Sequence, residues 1–229
     1  MTTLALRKEI VQTKKIIGTE LSRLQQAFYD EDMLQCYKDD NEEDLYREQF
    51  DFFEITAIEY ASFNKIIGLG HFDINTFTAL LSHKLKELFT IIGAQELIII
   101  SHLKLDFFGN NNNGFKPLVN AYSLLERTVG KRTYKEAFMV DLDNLPEFIE
   151  ILFWITRCDP TAPEYIFLFD KDEKVQLLLC KYGNIHLTEF GSEVLTASML
   201  ASLGWEIIEG AEFDNFTDDG KISGRKSNM

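Results

Sequence analysis

The sequence predicts an α+β fold, with a mostly helical N-terminal part followed by a mixed sheet that carries an antiparallel meander and packed helices. Three observations predict it. Apolar residues recur at helical spacing as far as Gly93, a continuous apolar run follows at Leu97 to Ile100, and three strand-like runs separated by short turns fill the stretch from Glu164 to Phe190. The 229 residues are 45% hydrophobic and 13% aromatic, enough apolar surface to bury a sizeable core and too much for a disordered chain. No Pro, Gly or Ser-rich linker and no internal repeat divides them. Residues 1–229 are therefore read as one domain, with a polar, frayed tail from about Thr217.

Leu6, Ile10, Ile17, Leu21, Leu24 and Phe28 lie three, four or seven apart, which predicts one amphipathic helix from about Leu4 to Tyr29. A coiled-coil seam is the alternative, and Lys14 interrupts it. An acidic linker follows. The segment Asp44 to Ile67 lacks Gly and Pro for 24 residues and is read as helix, although Phe52, Phe53, Ile55, Thr56 and Ile58 favour extended backbone. Asn75 is the expected cap of the next helix, whose Phe77, Leu81, Leu85, Leu88 and Ile92 keep the period until Gly93.

Leu97 to Ile100 and the alternation Leu103, Leu105, Phe107 predict one long strand, buried on both faces and then on one. Pro117 suits the first turn of a helix with Leu118, Tyr122, Leu125 and Val129 inward, closed by Gly130. Ala137 to Asp141 reads as a short strand. Asn144 and Glu147 suggest a capping box for a helix to about Arg157, apolar nearly all round and therefore central. Glu164 to Phe169, Val175 to Cys180 and Ile185 to Phe190 form the meander. Ser192 is the expected cap of a last helix through Leu203, and Trp205 to Ile208 an edge strand.

Charge narrows the function. Lys and Arg number 23 against 37 Asp and Glu, a net −14, which repels polyanions and argues against nucleic-acid binding. No apolar run approaches the roughly 18 residues of a membrane span, and no leader is evident, so the expected location is cytoplasmic. Cys36, Cys158 and Cys180 are too far apart for a zinc ribbon and odd in number, which fits a reducing compartment. Carboxylates concentrate between Asp30 and Asp51, where ten face only Lys38 and Arg47, and again from Glu206 to Asp219. Asp39, Asp40, Glu42, Glu43 and Asp44 are the candidate binding residues, a docking face for a protein with a basic surface.

Candidate chemistry is sparse. Gly109 to Gly114 followed by Phe115 and Lys116 approaches a phosphate-binding loop, but the lysine is one place late and Pro117 occupies the position of the metal-binding hydroxyl. Phe138-Met139-Val140-Asp141-Leu142-Asp143 resembles the strand and Asp-x-Asp that open the active site of haloacid-dehalogenase-like phosphotransferases. The resemblance covers six residues, with Asn144-Leu145 in place of the expected Gly-Thr. It implies an alternative function, a metal-dependent phosphotransferase or hydrolase using Asp141 and Asp143. The reading preferred here makes them a turn beside a helix N-terminus. Asp170 and Asp172 fit a hairpin turn better than a calcium loop, and His71, His83, His102 and His186 have no metal-ligand spacing.

No catalytic residue, metal ligand or cofactor is assigned. The expected function is a non-catalytic protein-binding module, similar in size, acidity and lack of motifs to bacterial immunity proteins that neutralise basic toxins. A structural or oligomerising role through the first helix is the remaining alternative.

Overall fold

The computed structural model describes residues 2–51, 55–70, 73–109 and 114–209. Its elements in chain order are β1 (Thr2–Ala5), α1 (Arg7–Thr13), α2 (Lys15–Phe28), α3 (Glu31–Asp39), α4 (Glu43–Arg47), β2 (Ser62–Gly68), α5 (Ile74–Ile91), β3 (Glu96–Ser101), α6 (Lys116–Val129), β4 (Ala137–Asp141), α7 (Leu145–Cys158), β5 (Ile166–Asp170), β6 (Val175–Leu179), β7 (Ile185–Phe190), α8 (Ala197–Ser202) and β8 (Glu206–Ile207). The strands form one sheet in the order β1-β4-β3-β5-β6-β7-β2-β8. The class is α+β as expected. Every pairing is antiparallel, where a mixed sheet was expected, and β5-β6-β7 is the expected meander.

Alternation along the central strands builds two cores. Leu97 and Ile99 of β3, Phe138 and Val140 of β4, and Ile166 and Leu168 of β5 face α5, α6, α7 and α8. Ile98, Ile100, Ala137, Phe167 and Phe169 face Ile10, Val11, Ile17 and Leu21 of α1 and α2. The four consecutive apolar residues of β3 are thus required by helices on both sides. Full burial of such a side chain contributes about 1.5–3 kcal/mol. Helix α7 is central as predicted, with eight buried residues from Leu145 to Ile155.

The first helix differs from expectation: it is two helices after a short edge strand, broken where Lys14 turns extended at φ −97°. The break has tertiary causes. The Glu173 carboxylate, from the β5–β6 turn, accepts from the Ile16 and Ile17 amides at 2.7 and 3.0 Å and so caps α2. Gly18 lies so close to α1 that a Cβ there would stand 2.5 Å from the Val11 carbonyl oxygen. Ile10, Ile17 and Leu21 of the apolar stripe are buried against the sheet, whereas Leu6 and Phe28 are exposed.

Further corrections have similar causes. Within the expected helix 44–67 lie α4 and strand β2, which pairs with β7 from Ser62 opposite Phe190 to Ile67 opposite Ile185. Phe63, Ile66 and Ile67 find a sheet neighbour in β7, and that outweighs the lack of Gly and Pro, whereas Ile55, Thr56 and Ile58 lie in no helix or strand. The long strand ends at Ser101 because the Ser101 and His102 carbonyls accept from the buried Arg7 guanidinium at 2.5 and 3.0 Å. Asn144 makes no side-chain cap, and its amide and Nδ2 donate to Asp141 Oδ1 at 3.0 and 2.5 Å. Asp73 caps α5 and Thr196 caps α8. Residues before Thr196 stay non-helical because Glu189 Oε1 accepts the Val194 and Leu195 amides. Strand β8 is the expected edge, paired with β2. Phe52, Phe53, His71, Asn110 to Asn113 and the tail from Thr217 lie outside the described residues.

Candidate functional site: an acidic helical hairpin

The acidic segment is not a loop. Asp30 opens α3 by accepting from the Asp32 and Met33 amides at 2.8 and 3.0 Å, and Glu31 and Asp32 complement the positive end of the helix. A corner at Asn41, in the left-handed region at φ 59°, turns the chain into α4. Leu34 and Tyr37 point inward from α3, and Tyr46 and Phe50 from α4 and its exit, onto Leu103 and Leu105 beyond β3. Tyr46 is the hub: its ring centroid lies 5.7 Å from Tyr29, 5.2 Å from Tyr37 and 5.2 Å from Phe50. Its hydroxyl also accepts from the Asp30 amide at 2.8 Å.

A buried ion pair fastens the foot of this hairpin to the sheet. Arg7, 1% exposed, donates from Nε to Asp51 Oδ1 and Oδ2, both at 2.9 Å, with Nη2 at 2.8 Å from Oδ2. The Asp51 side chain is 4% exposed. Gln25 Nε2 donates to Asp51 Oδ2 at 2.7 Å and to the His102 carbonyl at 2.6 Å, while Gln25 Oε1 accepts the Asp51 amide at 3.0 Å. Asp51 belongs by sequence to the acidic run, but it is consumed inside the fold.

The five candidate residues stand together at the outer end of the hairpin: Asp39 closes α3, Asp40 and Glu42 flank Asn41, and Glu43 and Asp44 begin α4. They are not equivalent. Glu43 accepts from Arg47 at 2.7 Å and lies 4.0 Å from Lys38, and the hydrogen bond to Arg47 holds its carboxyl below the ordinary value. Asp39 accepts from Gln35 at 2.7 Å. Asp40, Glu42 and Asp44 are exposed, and among the described residues their side chains have no hydrogen-bond or ion-pair partner. Two apolar side chains accompany them into solvent, Met33 at 48% exposure and Leu45 at 55%. Helical spacing puts Met33 and Asp40 on one flank of α3. Sequence reasoning missed both apolar residues, because a stretch read as an acidic linker gives its isolated apolar residues no face to lie on.

The other motifs resolve into structure. Asp141 is tied to Asn144, and Asp143, 88% exposed, pairs with Lys86 at 2.6 Å. Gly109, the first residue of the Asn-rich motif, lies against Asp159, whose Oδ2 would stand 2.9 Å from a Cβ there. That carboxylate accepts from Tyr122 Oη at 2.6 Å and makes the loop's first position a poor one for phosphate. Asp170 accepts the Asp172, Lys174 and Val175 amides and shapes the β5–β6 turn. His83 pairs with Glu87 on α5. His102 is buried between Phe28 and Tyr165, and desolvation pushes its pKa down to about 4, so the ring is neutral. No group of three or more His, Cys, Asp or Glu among the described residues is placed to hold a metal ion. No helix among them is long and apolar enough to cross a membrane.

Comparison with protein-family models, curated proteins and solved structures gives no match for this chain.

Proposed function

We propose that the protein is a non-catalytic, cytoplasmic binding module that docks a protein with a basic surface on the α3–α4 hairpin, in the manner of an immunity protein that neutralises a basic toxin. One observation carries this reading: among the described residues Asp40, Glu42 and Asp44 have no side-chain partner, and they stand beside exposed Met33 and Leu45 on a hairpin fastened at its base. Unpaired carboxylates steer a cationic partner during approach, whereas rim charges add little to final affinity. Affinity needs apolar anchors, and a flexible thioether and a leucine are suitable ones. The clamped base keeps the loss of conformational entropy on binding small. The alternative built on Asp141 and Asp143 draws no support from this arrangement.

Photo-crosslinking in the native cell tests the proposal. A benzophenone side chain placed at Met33 or at Leu45 should capture one and the same basic protein. The same group at Ile91 or Val194, which are similarly exposed, should not. Equal capture at all four positions, or none at Met33 and Leu45, contradicts the proposal.

A further inference from the structure

The eight-stranded sheet ends in β1 on one side and β8 on the other, and the two ends are finished differently. At the β8 end the Ile208 amide donates to the Ile66 carbonyl at 2.8 Å, so β8 covers the second half of β2. The rest of β2 carries Lys65, whose side chain is 12% exposed and lies 2.7 Å from Glu193 and 3.4 Å from Glu189. A short covering strand and a charge in the edge strand are ordinary devices that keep a sheet from adding further strands. Strand β1 has neither: Thr2–Ala5 contains no charged residue, no Gly and no Pro.

The register fixes which backbone groups β1 offers. In an antiparallel strand, alternate residues direct both N–H and C=O to the same neighbour. The Lys171 amide donates to the Glu96 carbonyl at 3.0 Å, so Glu96, Ile98 and Ile100 serve β5 and leave Leu97 and Ile99 to β4. Val140 and Phe138 answer them, which leaves Met139 and Ala137 to face Thr3 and Ala5 of β1. Thr2 and Leu4 therefore point N–H and C=O away from the sheet, and among the described residues no backbone group meets them there. Leu6 continues the run, extended at φ −73° and ψ 123°, with its carbonyl accepting from the Ile10 amide at 3.2 Å. The next amide, that of Arg7, turns back to Glu136 Oε2 at 2.7 Å, which leaves the Leu6 N–H on the outer side. Two apolar side chains border this edge, Leu4 at 43% exposure and Leu6 at 55%.

We propose that β1 is a self-association edge, at which a second copy of this chain adds its own β1 antiparallel about a two-fold axis and joins the two sheets into one. An antiparallel edge is complementary to its own copy, and the outward groups of Thr2, Leu4 and Leu6 allow a symmetric register centred on Leu4. There the two Leu4 residues exchange N–H···O bonds, and each Leu6 N–H meets the opposing Thr2 carbonyl. The Leu4 side chains come within about 4.5–5.5 Å of each other at Cβ and shield one another from water. A second copy is the fitting occupant because β1 carries no carboxylate to attract a basic partner, and because this uncharged edge is where chains of net −14 meet with least repulsion. The patch is small, so the association is weak and depends on concentration.

Sedimentation velocity of the full chain, from about 1 μM to about 1 mM, is the test. A monomer–dimer equilibrium is expected, and it should tighten at least about threefold as salt rises from about 0.05 to about 0.5 M, because screening relieves the repulsion between like-charged copies. Leu4→Lys sets like charges opposite one another and should weaken the dimer at least about tenfold. Leu4→Pro should do the same by removing an outward N–H that β4 does not use, and circular dichroism shows that each variant stays folded. Asn64→Lys, at the other end of the sheet, should leave the equilibrium unchanged. A parent chain that stays monomeric throughout overturns the proposal. So does a dimer that loosens with salt, ignores both Leu4 variants or is lost in Asn64→Lys.

Discussion

Replacing Arg7 by Ala is the severest single test of how the acidic hairpin is held. The guanidinium is 1% exposed and makes three contacts with the Asp51 carboxylate, at 2.8 to 2.9 Å, and one with each of the Ser101 and His102 carbonyls. Among the described residues, removing it leaves a carboxylate 4% exposed with Gln25 Nε2 as its remaining side-chain donor, takes a donor from the Ser101 carbonyl and leaves the His102 carbonyl with Gln25 Nε2. Breaking a buried pair from one side costs about 3–5 kcal/mol, because an uncompensated charge stays behind. Domains of this kind have about 5–15 kcal/mol in total, so Arg7→Ala consumes a large fraction of it. The loss should also be local before it is global, since Asp51 is the foot of the hairpin. Urea titration measures the first effect, and native-state hydrogen exchange of residues 31–47 the second. A double variant, Arg7→Met with Asp51→Leu, should recover part of the loss by removing both charges together. A cost for Arg7→Ala below about 1 kcal/mol, with exchange in α3 and α4 unchanged, would refute the clamp.

Other consequences can be checked separately. His102 is neutral in the fold because burial lowers its pKa from 6.5 to about 4. The unfolded chain therefore takes up a proton first as pH falls, and stability should decline by up to about 3 kcal/mol between pH 6.5 and 4. His102→Gln should flatten that slope in a stability–pH series, and an unaltered slope would assign it to other groups. Glu173→Ala should cost about 1–2 kcal/mol by uncapping α2, even though it leaves the same left-handed φ of 61° in place. Glu173→Gly relieves that strain and should cost less than Ala; the reverse order in thermal melts would contradict the argument. Asp141→Asn combined with Asp143→Asn should leave the thermal melt little changed, because the Lys86 pair is exposed and Asn can still accept from Asn144. Magnesium-dependent phosphatase activity that vanished in that double variant would restore the phosphotransferase reading.

Local patterns were legible wherever local chemistry decides. The meander, α5, α6 and the all-round apolar α7 followed from period, Pro117, Gly93 and Gly130, and the doubly buried β3 from four consecutive apolar residues. The misreadings cluster where a distant side chain decides. Glu173 lies more than 150 residues from the helix it caps, and Arg7 ends a strand 94 residues away. No window of sequence contains both members of either pair. Strand β2 was read as helix because its partner β7 comes more than 110 residues later, with Ser62 opposite Phe190 and Ile67 opposite Ile185. The acidic stretch was legible as charge but not as structure, since its inward residues Leu34, Tyr37, Tyr46 and Phe50 are thinly spread among carboxylates. Met33 and Leu45 gave no outward sign of exposure.

The most direct test of the hairpin as a docking face is an association rate measured against ionic strength. The partner recovered by crosslinking at Met33 or Leu45 is mixed with the parent chain and with Asp39→Asn/Asp40→Asn/Glu42→Gln/Glu43→Gln/Asp44→Asn, from low salt to about 0.15 M, where screening shortens the field to about 8 Å. The account predicts fast association for the parent at low salt, falling steeply as salt rises, and a slower, flatter dependence for the variant, with dissociation little changed. Identical rates and salt slopes for the two chains would contradict it.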